Sequence, residues 1–377
     1  MPAHQSSMSH HAGVKKNESP SAATDATEAA TETELFLGNS NRRFSGVTST
    51  MLQTMALQTH QMKLRVLGRH HLPDESLAIG FLELAGMSKR LLPNGKYRIF
   101  HARRNDEMIQ ALILKHLLGA KIRIVFTSTA QRHHSSFTRW LMTKMDAVIS
   151  TCDAAAAYLE RKPDIIIPHG VNPNTYLPAP DRRAAWQATG LPGDYGIGIF
   201  GRVRKQKGVA LFVNACIEQL PNHPAFTGVI VGAITADNQG FVDEQKKKIS
   251  AAGLNTRIVF IGEQPFERVP ELIRAMSLVA ALSYKEGFGL TVLEAMSSAC
   301  AVLATQAGAW PEIVVPEVTG KIVPAGDQDA ITAELGKLLT DPAQLTEMGA
   351  AGRELVLEKY KLQHESDALC QFYRSLQ

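Results

Sequence analysis

The sequence predicts an α/β protein built from two doubly wound, Rossmann-like domains that face each other across a cleft. Three observations predict it. Short apolar runs alternate with helical stretches, and the alternation is read twice along the chain. Several runs end in a polar or glycine-rich loop that opens a helix, the place where open parallel sheets bind ligands. The chain has 377 residues, 45% of them hydrophobic, which exceeds a typical single domain and leaves apolar material for two cores. Pro173, Pro178 and Pro180 mark the linker. The division expected is a tail at 1–34, a first domain at 35–178, a second at 179–360 and a final helix at 361–377.

Residues 1–34 are rich in Ser, Thr, Ala, Glu and His and lack the apolar core of a secretory signal, so a disordered tail is expected. No apolar run reaches the roughly 18 residues of a spanning helix. Cys152, Cys216, Cys300 and Cys370 are far apart and lack zinc or redox spacing, which suits buried thiols in a reducing cytoplasm. Adjacent histidines (His10-His11, His70-His71, His133-His134) diverge by about 100° on a helix and no acidic or cysteine cluster joins them, so no metal site is predicted. The net charge of +4 is uneven: residues 35–170 hold 19 Lys and Arg against 9 Asp and Glu. That excess suits an anionic acceptor or an anionic membrane face. Nucleic acid is not expected, because the arginines are not interleaved with aromatics and no nucleic-acid module is recognisable.

In the first domain, Leu35-Phe36-Leu37 reads as a strand, Asn39 to Thr48 as a polar loop and Met51 to Gln61 as a helix. Gly46 lies where such a loop meets a ligand. Tyr97 to His101 is a strand with Arg103 and Arg104 at its carboxyl end, where guanidinium forks suit carboxylates and phosphates. A helix over Met108 to Leu118 follows, then a strand over Ile122 to Thr127 and a segment carrying Arg132. Met145 to Ser150 is a strand, Ala154 to Leu159 a helix and Ile165 to Pro168 a strand, ending at His169, read as a hydrogen-bonded structural residue.

The second domain opens with a strand over Tyr195 to Phe200, the loop Gly201 to Gly208 and a helix over Val209 to Leu220. Strands over Gly228 to Gly232, Arg257 to Ile261, Leu278 to Leu282 and Cys300 to Ala304 follow, with helices over Asp327 to Leu339, Pro342 to Tyr360 and Gln363 to Leu376. The stretch Tyr284 to Glu294 organises the whole. Gly287 and Gly289 let the backbone approach a ligand, and the free N–H groups near Leu290 and Thr291 turn the positive end of a helix dipole toward it. A diphosphate suits that end. Glu286 and Glu294 bracket the loop and can converge on one pocket as acceptors for hydroxyl-rich groups. Cations at Arg202 and Lys207 would stabilise charge that grows on a departing diphosphate.

Glu286-x7-Glu294 with Gly287-Phe288-Gly289 inside it resembles the donor motif of the large retaining glycosyltransferase family that takes its sugar from a nucleotide sugar on a two-Rossmann, GT-B scaffold. Gly201-Arg202 and Lys207-Gly208 are a second match, to the loop that grips the donor diphosphate. The resemblance implies a donor site of Gly46, Gly201, Arg202, Lys207, Glu286, Gly287, Phe288, Gly289, Leu290, Thr291 and Glu294, with Arg202, Lys207 and Glu286 closest to the chemistry. It also implies a last helix that crosses back to the first domain, and neither metal nor cofactor. Asn39 to Thr50 and His101-Ala102-Arg103-Arg104-Asn105 look similar to the lipopolysaccharide core mannosyltransferases of rhizobia and their relatives. That likeness implies GDP-mannose as donor and Kdo on a lipid A anchor as acceptor, met by Arg103, Arg104 and Arg132 at the cytoplasmic face of the inner membrane. Two other readings share the scaffold or the charge: a nucleotide-sugar epimerase and a non-catalytic lipid A-binding protein.

Overall fold

The computed structural model describes residues 32–42 and 44–377. The tail expected at 1–34 thus falls almost wholly outside the described residues. The first sheet runs β1 (Leu35–Gly38), β2 (Leu64–Leu67), β3 (Ala78–Ile79), β4 (Arg98–Ala102), β5 (Ile122–Ser128), β6 (Ala147–Ser150) and β7 (Ile165–Ile166). The second contains β8 (Tyr195–Phe200), β9 (Phe226–Val231), β10 (Ile258–Gly262), β11 (Met276–Ala281), β12 (Ala301–Thr305) and β13 (Gly320–Val323). Their spatial orders are β3-β2-β1-β4-β5-β6-β7 and β10-β9-β8-β11-β12-β13. Every pairing is parallel.

Both sheets start at an inner strand, grow to one edge and then reverse. The reversal leaves a crevice between β1 and β4 in one domain and between β8 and β11 in the other. Strands β11 and β12 are buried along their whole length, because helices cover both faces of a parallel sheet; this is why they read as unbroken apolar runs.

Element ends differ from the sequence reading where capping decides. Ser45 caps the first long helix, so it begins at Gly46 and ends at Gln58. The helix expected over Met108 to Leu118 starts earlier, at Asn105, and gives way after Leu112 to a π turn over Ile113–Leu117. The helix after β6 is one turn, Asp153–Ala156, and β7 stops at Ile166. Strands β2, β3 and β13, and helices Phe81–Met87, Gln239–Ala251 and Arg268–Ala275, carry signals too short or too polar to have been read.

The last helix, Leu362–Leu376, packs Leu369, Cys370 and Tyr373 into the core formed by β1 and the Gly46–Gln58 helix. Tyr373 also hydrogen-bonds His101 through its hydroxyl, 2.6 Å from Nδ1. Burial, helped by the Arg103 charge, holds the His101 imidazole well below its usual range, so it is neutral at pH 7. All four cysteines are buried and unpaired with one another. Among the described residues no helix is long and apolar enough to cross a membrane.

Candidate active site

A cavity of about 340 Å³ opens between the two crevices. Ser45, Gly46, Val47 and Thr50, from the first turn of the Gly46–Gln58 helix, form one wall. Gly289, Leu290 and Thr291, from the start of the Leu290–Ser297 helix, form the facing wall. Two helix N-termini, one per domain, thus present free N–H groups to one space, which favours anionic groups within it.

The second domain's wall is fixed by glycines. Gly289 caps its helix at φ 87°, and a Cβ there would lie 2.3 Å from Trp310 Nε1. Trp310 Nε1 donates to Gly289 O at 2.8 Å, so the short helix after β12 touches the glycine loop directly. Gly289→Ala is expected to cost about 2 kcal/mol, since it combines a left-handed φ with a steric clash; urea unfolding of the variant measures it. At Gly208, φ 75°, a Cβ would meet Leu282 O at 2.0 Å, so the loop from Gly201 is pressed onto the end of β11. That contact delivers Lys207 to the cavity, where its ammonium pairs with the Glu286 carboxylate. Ser283 Oγ (3.3 Å) and Gly287 N (3.2 Å) also donate to Glu286.

The other predicted residues divide. Phe288 is buried and lines the cavity. Gly287 lies at the domain boundary, where a Cβ would be 3.3 Å from Thr129 O of the first domain. Gly201 and Arg202 are exposed and outside the cavity wall. Glu294 sits behind it, accepting from the Tyr176 hydroxyl at 3.1 Å. Burial pushes the Glu294 carboxyl up to about 7, against the pull of that hydroxyl and of Lys207. The folded state holds this proton above the ordinary value of 4.5, so stability falls as pH rises between those values. Glu294→Gln removes that slope, a change of about 3 kcal/mol across the window; unfolding midpoints at pH 5 and pH 8 test it.

Among the candidate acceptor arginines only Arg103 lines the cavity, and its Nη1 is buried without a hydrogen-bond partner. Arg104 is committed inside the protein: its guanidinium donates to Glu107 Oε1 (3.0 Å), Ser45 Oγ (3.2 Å) and Thr48 Oγ1 (2.9 Å). Arg132 is exposed on the loop that begins at Thr129, outside the cavity wall.

Residues not singled out from sequence complete the site. Thr127 and Thr129 line the cavity, and Thr127 is held by His101 Nε2 at 2.7 Å. His169, read as structural, is hydrogen-bonded as expected but also lines the cavity. Its Nδ1 is 2.7 Å from Glu365 Oε1 of the last helix, and its ring meets Phe288 edge-on at 5.0 Å. The Pro-His-Gly turn was visible in the sequence, but its partner lies 196 positions away.

Two parallel-sheet domains whose crevices face one cavity, lined by opposed helix N-termini and a lysine–glutamate pair, define the GT-B class of fold. Residues 182–355 match the family described as Glycosyl transferases group 1. The chain is 40% identical over 346 residues to the lipopolysaccharide core biosynthesis mannosyltransferase LpcC of Rhizobium leguminosarum bv. viciae, covering 92% of this chain and 97% of that protein. The solved C-terminal domain of the LpcC group 1 glycosyl transferase from Francisella tularensis shares 42% identity over 51% of this chain and all of that chain, with a TM-score of 0.50. Anabaena HepE, solved with UDP and glucose, shares the fold at a TM-score of 0.73 and 18% identity, over 91% of this chain and 100% of that one. The chain belongs to the group 1 glycosyltransferases and is a hexosyltransferase.

Proposed function

We propose that the protein transfers mannose from GDP-mannose to Kdo on a lipid A anchor, with retention of configuration. The observation that carries this reading is the pair of facing helix N-termini with Lys207 and Glu286 between them. Similarity along nearly the whole chain to a lipopolysaccharide core mannosyltransferase narrows the sugar and the acceptor. In this reading the N–H groups at Leu290 and Thr291 and the Lys207 ammonium hold the diphosphate, and Arg202 joins them when the ligand is bound. Glu286 accepts from mannose hydroxyls, and Glu294, which the Tyr176 hydroxyl holds behind the cavity wall, accepts from the ribose once the bound donor displaces that contact. Gly46 and its helix start meet the bound molecule from the first domain, and Arg103, whose Nη1 lacks a partner, meets the acceptor carboxylate. The acceptor oxygen bonds to the sugar carbon on the face the diphosphate leaves, the carbon–phosphate oxygen bond breaks, and the acceptor proton passes to a phosphate oxygen. Cations and helix ends supply the charge stabilisation that such a departure needs.

A panel of GDP- and UDP-sugars in titration calorimetry tests the donor. GDP-mannose is expected to bind tightest, and GDP and a mannosylated product should form only when a Kdo-bearing acceptor is added. Isomerisation of the donor alone would establish an epimerase instead, and acceptor binding without GDP release a non-catalytic binder. Ribose hydroxyls bind the ionised Glu294 carboxylate, so donor affinity is expected to rise between pH 6 and pH 8 in wild type and to stay flat in Glu294→Gln.

A further inference from the structure

Behind the cavity wall a chain of three polar side chains runs into the first domain's core. Thr127 lines the cavity, and its Oγ1 is 2.7 Å from His101 Nε2. His101 Nδ1 is 2.6 Å from the hydroxyl of Tyr373, on the last helix. His101 and Tyr373 are both buried. The neutral ring has one N–H donor and one bare nitrogen, and which is which decides what Thr127 offers the cavity. The direction follows from where each proton can go. A buried O–H left without an acceptor costs more than a hydrogen bond gains. Among the described residues the Tyr373 hydroxyl has a single hydrogen-bond partner, His101 Nδ1. Gln58 faces the same phenol, but its amide nitrogen and oxygen are both buried without a partner. Tyr373 therefore donates to Nδ1, the imidazole proton sits on Nε2, and Nε2 donates to Thr127. That leaves the Thr127 hydroxyl proton free to point into the cavity, because Thr127 Oγ1 has no other partner among the described residues.

We propose that Tyr373 and His101 are positioning residues that make Thr127 a hydroxyl donor to the acceptor's carboxylate, beside Arg103. The proposal rests on the reading of the acceptor as an acidic sugar. Strands β4 and β5 pair as far as Ala102 and Phe126, so Arg103 and Thr127 leave the sheet side by side, and both line the cavity. A guanidinium and a hydroxyl at neighbouring positions match the two oxygens of one carboxylate. With the proton on Nδ1 instead, Thr127 would donate to the ring and show the cavity only oxygen lone pairs, which repel a carboxylate. The last helix thus reaches the acceptor site through a hydroxyl 272 positions beyond His101.

Nitrogen NMR of the full chain with isotopically labelled histidine reads the tautomer, the His101 signals being assigned by their absence in His101→Gln. Wild type is expected to show a protonated Nε2 and a bare Nδ1. In Tyr373→Phe the bare nitrogen loses its donor, so the two tautomers should mix. Calorimetric titration with free Kdo reads the consequence. Thr127→Val should weaken Kdo binding about tenfold, the loss of one hydrogen bond to a charged group, while Thr127→Ser binds as wild type does. Tyr373→Phe should weaken it about threefold, because only part of the population then presents the donor. In a Thr127→Val background the same change should cost nothing further. A protonated Nδ1 in wild type overturns the proposal, as do undisturbed tautomers in Tyr373→Phe or an equal loss on Tyr373→Phe with and without the Thr127 hydroxyl. Failure of wild type to bind Kdo would remove the acidic acceptor and the carboxylate contact, whereas the spectrum needs no ligand and judges the Tyr373–His101 lock separately.

Discussion

Lys207→Met is expected to lower kcat by two to three powers of ten, the usual result of removing one preorganised group from developing negative charge, or about 3–4 kcal/mol. The structure explains why so much should rest on one ammonium. The first domain brings Arg103 to the cavity, and among the predicted second-domain cations Lys207 lines the wall while Arg202 is exposed outside it. Lys207 is held by its Glu286 partner and by a loop whose Gly208 leaves no room for a side chain. The effect should fall on kcat more than on the donor KM, because charge on the diphosphate grows as the bond to the sugar breaks. Thermal unfolding should change less than on breaking the Arg104–Glu107 pair, since both Lys207 and Glu286 keep solvent contact while Glu107 has none. Glu286→Gln combined with Lys207→Met should lose less than the sum of the two single effects, as expected for groups that act together. A Lys207→Met enzyme with near-wild-type turnover would remove this lysine from the diphosphate site.

Arg104→Met is expected to fail differently. Glu107 is fully buried, and its carboxylate takes Arg103 N at 2.7 Å, the Ser40 N–H and hydroxyl at 3.4 and 3.3 Å, and the Arg104 fork. Arg104 is its cationic partner, and removing one member of a buried pair leaves an uncompensated charge. A loss of about 3 kcal/mol follows, seen as a lower urea midpoint with an unchanged slope. Glu107→Gln in the same chain should restore part of it. Arg103→Met should do the reverse, leaving the midpoint nearly unchanged and raising the acceptor KM, because its Nη1 has no partner within the protein to lose. Equal stability losses at both positions would contradict this division.

Adjacent in sequence, Arg103 and Arg104 were read alike from the sequence as acceptor candidates at the end of a strand. The helix that follows sets Glu107 three residues after Arg104, within reach of its guanidinium, and Ser45 and Thr48 arrive from another element to take the same guanidinium. Nothing local in the sequence separates the two arginines. The same holds for Glu286 and Glu294. Their spacing and the glycines between them were legible, but that one faces the cavity and the other a tyrosine from the linker depends on Tyr176, 118 positions before Glu294. His169 was visible as part of a turn, whereas the carboxylate that orients it comes from the final helix.

By itself the sequence determined the local grammar: apolar runs long enough for buried parallel strands, glycines where the backbone must turn left-handed, and cations and acids placed just beyond strand ends. Those features are local because backbone conformation and hydrophobic period act over a few residues. Only the tertiary structure decided which of these charged groups share a space and which neutralise one another. Electrostatic partnership acts across the fold, over a few ångströms that can join any two positions in the chain.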